Sequence, residues 1–108
     1  MRTSYTAVIE RNTEIRDGFV SEGYECGWAS EALLFLRVLD GDLAGASARI
    51  QISPDGMHWC DEGTSFPLAS ANQVAFAKIR HFGNWLRFCI QSGAEKEGRI
   101  LATLHLKE

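Results

Sequence analysis

The stretch Glu31-Ala32-Leu33-Leu34-Phe35-Leu36-Arg37-Val38-Leu39 carries the densest apolar pattern in the chain. Its even positions, Ala32, Leu34, Leu36 and Val38, form a continuous apolar row at the two-residue period of a β-strand. A 3.6-residue period is hard to find anywhere else, and turn residues recur about every ten positions, the signature of an antiparallel β-sandwich or barrel.

The flanking sequence extends this reading. Ser4 to Glu10 is a strand with Tyr5, Ala7 and Ile9 on one face, followed by a polar, Gly-rich stretch from Arg11 to Gly23 with a short strand around Phe19-Val20. Tyr24 to Ala29 is a further extended piece, and Asp40-Gly41-Asp42 ends the Glu31 strand as a turn. Ala46 to Ser53 alternates, with Ala48, Ile50 and Ile52 inward, and Pro54-Asp55-Gly56 reverses the chain into Met57 to Glu62. Short strands follow at Ser65 to Leu68 and Val74 to Arg80; Leu68 to Ala77 lacks the apolar row a helix requires. Trp85 to Gln91 places Leu86, Phe88 and Ile90 inward. Ser92 to Gly98 is a polar turn, and Arg99 to Lys107 closes the fold with Ile100, Ala102, Leu104 and Leu106 inward.

Length and composition set the limits. The 108 residues are enough for one domain spanning positions 1 to 108, and 45% hydrophobic against 23% charged residues is globular rather than disordered. A net charge of −3 argues against a general nucleic-acid binder, which needs a basic patch for phosphates. The longest apolar run, Ala32 to Leu36, falls far short of the roughly 20 residues of a membrane span. Glu10 ends the only apolar stretch near the start, so no signal peptide is read there. Three cysteines, at 26, 60 and 89, form no Cys-x-x-Cys pair and suit free thiols in a reducing compartment. The expected location is cytoplasmic or particle-associated.

Ile50-Gln51-Ile52-Ser53-Pro54-Asp55-Gly56-Met57-His58-Trp59 joins an alternating strand to an Asp-Gly turn, with an aromatic three residues after the glycine. This passage resembles the Ser-x-Asp-Gly-x-x-Trp hairpin of jelly-roll and related β-sandwiches, including discoidin-like modules and the surface or decoration proteins of phage particles. Phe82-Gly83-Asn84-Trp85-Leu86-Arg87-Phe88 resembles the turn and strand that often follow in that architecture. The resemblance implies an all-β fold, a single antiparallel β-sandwich of jelly-roll type with about eight strands, and a hairpin tryptophan packed against the core. It carries over no catalytic residue.

Reactive side chains are dispersed. His58, Cys60 and Glu62 share one strand face if Trp59 points inward, yet same-face neighbours lie roughly 7 Å apart, too far for nucleophile activation or tight shared ligation. His81 and His105 are isolated, and Ser65 and Ser70 lack a nucleophile-elbow context. The carboxylate pairs Asp40/Asp42, Asp61/Glu62 and Glu95/Glu97 stand in or beside turns, and no P-loop or Gly-x-Gly-x-x-Gly is present. The sequence therefore reads as non-enzymatic, without metal or cofactor.

The outward rows are more informative. Opposite the apolar row of the Glu31 strand stand Leu33, Phe35, Arg37 and Leu39; Trp85 and Arg87 are outward on their strand, and Leu101 on the last. If these strands adjoin in one sheet, they form a patch more apolar than a soluble monomer usually exposes. Either a loop covers it, from Arg11 to Gly23 or Leu68 to Asn72, or a partner does. The expected role is a structural or assembly module acting through protein–protein contacts, with a second copy or another protein as partner and a phage or shell-like particle as its setting. The alternative is a carbohydrate-binding module stacking sugars on Tyr24, Trp28 and Trp85.

Overall fold

A computed structural model describes residues 4–43, 45–68, 73–80, 82–91 and 97–108. The strands are β1 (Ser4–Ile15), β2 (Tyr24–Glu25), β3 (Glu31–Asp42), β4 (Ser47–Ser53), β5 (Cys60–Pro67), β6 (Val74–Arg80), β7 (Trp85–Gln91) and β8 (Glu97–Lys107). They form two four-stranded sheets, sheet A in the order β1-β8-β3-β6 and sheet B in the order β2-β7-β4-β5. Every pairing is antiparallel. The pairs nest: β4 with β5, β3 with β6, β2 with β7 and β1 with β8. This is a long hairpin rolled into a sandwich, the jelly roll, and its apex is the Pro54-Asp55-Gly56 turn between β4 and β5.

Alternation fills the space between the sheets. Sheet A contributes Leu34, Leu36 and Val38 from β3, Ile79 from β6, and Ile100, Leu104 and Leu106 from β8, all at most 2% exposed. Sheet B answers with Ile50, Leu86, Phe88 and Ile90. Leu43 closes one end of the sandwich and Cys26 the other, both fully buried. Each such aliphatic or aromatic side chain contributes on the order of 1.5–3 kcal/mol when removed from water. Residues 18–21 continue the β2 side of β7, where Gly18 and Ser21 donate N–H groups to the Ile90 and Phe88 carbonyls at 3.0 and 2.9 Å, and Phe19 packs its ring 6.0 Å from that of Phe88.

Several local expectations change. Asp40-Gly41-Asp42 is not a turn: β3 continues to Asp42, with Leu39 as the extra residue of a bulge and Gly41 opposite Gly98. Gly41 has φ +85°, and a Cβ there would stand 2.5 Å from the Glu97 carbonyl oxygen, so only glycine lets the strands stay together. Met57 to Glu62 and Ser65 to Leu68 are not two strands; one strand, β5, begins only at Cys60 and continues to Pro67, with a register shift that absorbs Gly63. β1 extends to Ile15 through two register shifts and the positive φ of Asn12, and β2 shrinks to Tyr24–Glu25. The expected turn at 92–98 lies largely outside the described residues, as do His81, Ser70, Glu95 and residues 69–72.

Phe88 touches both the inter-sheet core and the 18–21 segment, so Phe88→Ala should cost about 3–5 kcal/mol of stability. A urea melt checks this: the midpoint should fall with the slope unchanged.

Candidate functional site

The two outer faces differ in chemistry. On sheet B, polar side chains pair across the strands, although Arg49 Nε is buried without a hydrogen bond. Arg87 donates from Nε to Gln51 Oε1 at 2.8 Å, Gln51 Nε2 donates to Asp61 Oδ1 at 3.0 Å, and the same Asp61 oxygen meets Arg49 Nε at 3.3 Å. Arg87 also lies 4.2 Å over the ring of Trp59. Trp59 is therefore on the outside of the sandwich, not packed inward as the hairpin resemblance implied. Residues 54–59 form the turn rather than a strand, so alternation cannot be counted across them.

On sheet A, the register lines up apolar groups instead. Val8 of β1, Thr103 of β8, Phe35 of β3 and Phe76 of β6 stand side by side across all four strands. Leu33 lies in the next row with His105 and Lys78, and Leu101 lies on the other side with Arg37 and Val74. Phe35 packs against Phe76 at 6.0 Å between ring centroids and meets His105 edge-on at 5.0 Å. Each ring nitrogen of His105 shares a 3.2 Å hydrogen bond with a threonine hydroxyl, Thr6 on one side and Thr103 on the other. Phe76 is 53% exposed, Val74 51% and Val8 44%.

Leu33, Phe35, Arg37 and Leu101 thus share one face, with half-buried Leu39 at the bulge beside it. Trp85 and Arg87 do not join them, because β7 belongs to sheet B. β7 and β8, although consecutive in sequence, fall in different sheets, so their outward rows look in opposite directions. Phe76, Val74 and Val8 complete the face and escaped the sequence reading, which could not identify the neighbours of β3. Their outward parity was visible in Val74 to Arg80 and Ser4 to Glu10.

The aromatic residues considered for sugar stacking lie on β2, in the loop after it and on β7, where Trp85 pairs with Glu25 of β2. Tyr24 pairs in register with inward Leu86 and packs against the core. Trp28, 43% exposed, lies in the loop between β2 and β3. Trp85 is partly buried, with Gly56 so close that a Cβ there would come within 3.0 Å of its indole. His58, Cys60 and Glu62 each have separate local roles: His58 binds Asp55, Cys60 donates weakly to the Ile52 carbonyl, and Glu62 accepts from the Thr64 N–H. Among the described residues, no three His, Cys, Asp or Glu side chains are placed to hold a metal, and no helix is long and apolar enough to cross a membrane.

The turn at the apex is built around one carboxylate. Asp55 Oδ1 accepts from the backbone N–H groups of His58 at 2.9 Å and Met57 at 2.8 Å, and Oδ2 lies 2.7 Å from His58 Nδ1. Ser53 Oγ accepts from the N–H groups of Asp55 and Gly56 and donates to Asp55 Oδ1. These donors, the His58 N–H first, hold the Asp55 carboxyl well below its ordinary range. Ser53 and His58 both spend their hydrogen bonds on Asp55, so the cluster shapes a turn and does not activate a hydroxyl.

No protein family model matches the chain, and no curated protein sequence matches it significantly. Its fold nevertheless resembles known structures. The SPBc2 prophage-derived protein YomS superposes with a TM-score of 0.63 at 8% identity, covering 100% of this chain and 96% of YomS. The PBSX exported protein XepA gives 0.57 at 10% identity, covering 98% of this chain and 36% of XepA. A carbohydrate-binding module of Cellvibrio mixtus lichenase 5A, solved with cellotriose, gives 0.53 at 9% identity over 94% of this chain and 85% of the module. The likeness to phage-derived proteins and to carbohydrate-binding modules is one of fold.

Burial pushes the Cys26 thiol up to about 12, Cys89 is 5% exposed and Cys60 is exposed. A thiol reagent at neutral pH should therefore label Cys60 alone in the native protein and reach Cys26 and Cys89 only after denaturation, as peptide mass mapping would read. Asp55 has a depressed folded pKa, so its stabilisation is complete above the ordinary aspartate value of 3.8 and is lost as pH falls below it. Asp55→Ala should melt below the wild type at neutral pH, and the gap should close in strong acid.

Proposed function

We propose that the chain is a non-enzymatic assembly module that joins copies of itself through the outer face of sheet A, as a component of a phage or other shell-like particle. The observation that carries this reading is the registered apolar row from Val8 through Phe35 to Phe76, with Leu33 and Leu101 beside it. Removing such a face from water is favourable, and aromatic and Leu side chains around an Arg suit a protein contact better than a free surface. Residues 18–21, within the segment first considered as a cover, lie against β7 of sheet B instead. The end-to-end likeness to a prophage-derived protein supports the setting, since it spans essentially both chains.

A carbohydrate-binding role is the second reading. The fold likeness to a module solved with cellotriose and the exposed Trp28 favour it. The inward turn of Tyr24 and the contacts around Trp85 leave it fewer stacking surfaces. Tryptophan fluorescence titrated with cello-oligosaccharides would quench or shift under this reading and stay flat under the first.

Phe76→Glu tests the first reading. The side chain sits on an edge strand and is 53% exposed, so the monomer should lose at most about 1 kcal/mol of stability. Light scattering after gel filtration should give a wild-type mass that is a multiple of 12.0 kDa and a variant mass of 12.0 kDa at the same concentration. A wild type that stays at 12.0 kDa at every concentration would overturn the proposal.

A further inference from the structure

The outer face of sheet A is electrically polarised along its strands. At the end where β3 begins, Glu31 lies between Arg80 and Lys107, and Lys78 flanks the neighbouring Leu33, so three cations gather around Glu31, with Glu108 next to Lys107 in the chain. These residues surround a shallow depression floored by Leu33. At the opposite end, Glu14, Asp40 and Glu97 surround a second depression with Arg99, and Asp42 stands opposite Glu97. Arg16 bridges Glu14 and, more loosely, Glu97, at 3.1 and 4.0 Å, so among the described residues four carboxylates, Glu14, Asp40, Asp42 and Glu97, gather here with Arg16 and Arg99. Arg37 lies between the two ends, beside the apolar row.

A face that is apolar in the middle, positive at one end and negative at the other is complementary to itself after a half-turn. We infer that two copies meet through this face with β3 running antiparallel to its counterpart, the Lys78–Arg80–Lys107 end of each copy lying against the Asp40–Asp42–Glu97 end of the other. This inference rests on the reading of the face as a contact between copies and fixes its geometry: an isologous twofold pair. A parallel arrangement would oppose like charges at both ends, whereas the antiparallel one satisfies both.

Charge reversal separates the possibilities. Lys78→Glu with Arg80→Glu makes both ends negative, and Asp42→Lys with Glu97→Lys makes both positive. Each double variant should dissociate at least tenfold more readily than the wild type in low salt, by sedimentation equilibrium. The quadruple variant, with both ends reversed in one chain, should recover wild-type association. An equimolar mixture of the two double variants should also pair. That recovery excludes misfolding as the cause of dissociation, and circular dichroism of each variant checks it directly. If the double variants associate as the wild type does, or the quadruple variant fails to recover while folded, the antiparallel geometry is wrong even if Phe76→Glu still dissociates the protein. If the wild type itself is monomeric throughout, the underlying reading fails and the geometry with it.

Discussion

The constraint on which the structure depends is that β3 is apolar on both sides. Its backbone is paired along one edge with β8 and along the other with β6, so the strand cannot turn either row away. The inner row of Ala32, Leu34, Leu36 and Val38 meets sheet B and vanishes from solvent. The outer row of Leu33, Phe35 and Leu101's neighbour Arg37 is held in register with Phe76 and Val74 on one side and Thr103 and His105 on the other. One alternating pattern therefore sets the core and, in the same stroke, a surface of unusual composition. The sandwich uses the first to fold; the second is surplus to folding, and the proposed contact between copies gives it a purpose.

The apex hairpin complements this. Asp55 gathers two backbone N–H groups, the imidazole of His58 and the hydroxyl of Ser53, which fixes where β4 ends and β5 begins. Because the strands nest as pairs outward from that turn, its position propagates to β3 with β6 and then to the outermost pair. Trp59 leaves the turn on the outside and stacks on Arg87, so sheet B gains a polar, mutually bonded face while sheet A keeps an apolar one.

Much of this was legible in the sequence where alternation was strict. The inward rows of β3, β4, β7 and β8 stand as their spacing suggests, and the Asp-Gly turn lies between the two strands it was read to join. Legibility ended wherever the period of two is broken by an extra residue. The bulge at Leu39 turned an apparent stop at Asp40 into continued strand, and the register shift near Gly63 fused two short strands into β5. The site was half legible for a different reason. Alternation assigns a residue to a side of its own strand but says nothing about which strand lies next to it. Leu33, Phe35, Arg37 and Leu101 share a face because β3 and β8 are neighbours, whereas Trp85 and Arg87 are separated from them by the thickness of the sandwich. Phe76 belongs to the face through a pairing between β3 and β6 that no local pattern announces.

Hydroxyl-radical footprinting across a range of protein concentrations tests the central claim most directly, because it reads the solvent exposure of individual side chains in the unmodified protein. Phe76, Phe35 and Leu101 should become protected as concentration rises, while Trp28 and the 75%-exposed Met57 keep constant oxidation rates. Unchanged oxidation of Phe76 over the whole range, with the same rates at Trp28 and Met57, would contradict the claim that the outer face of sheet A is where copies of this chain meet.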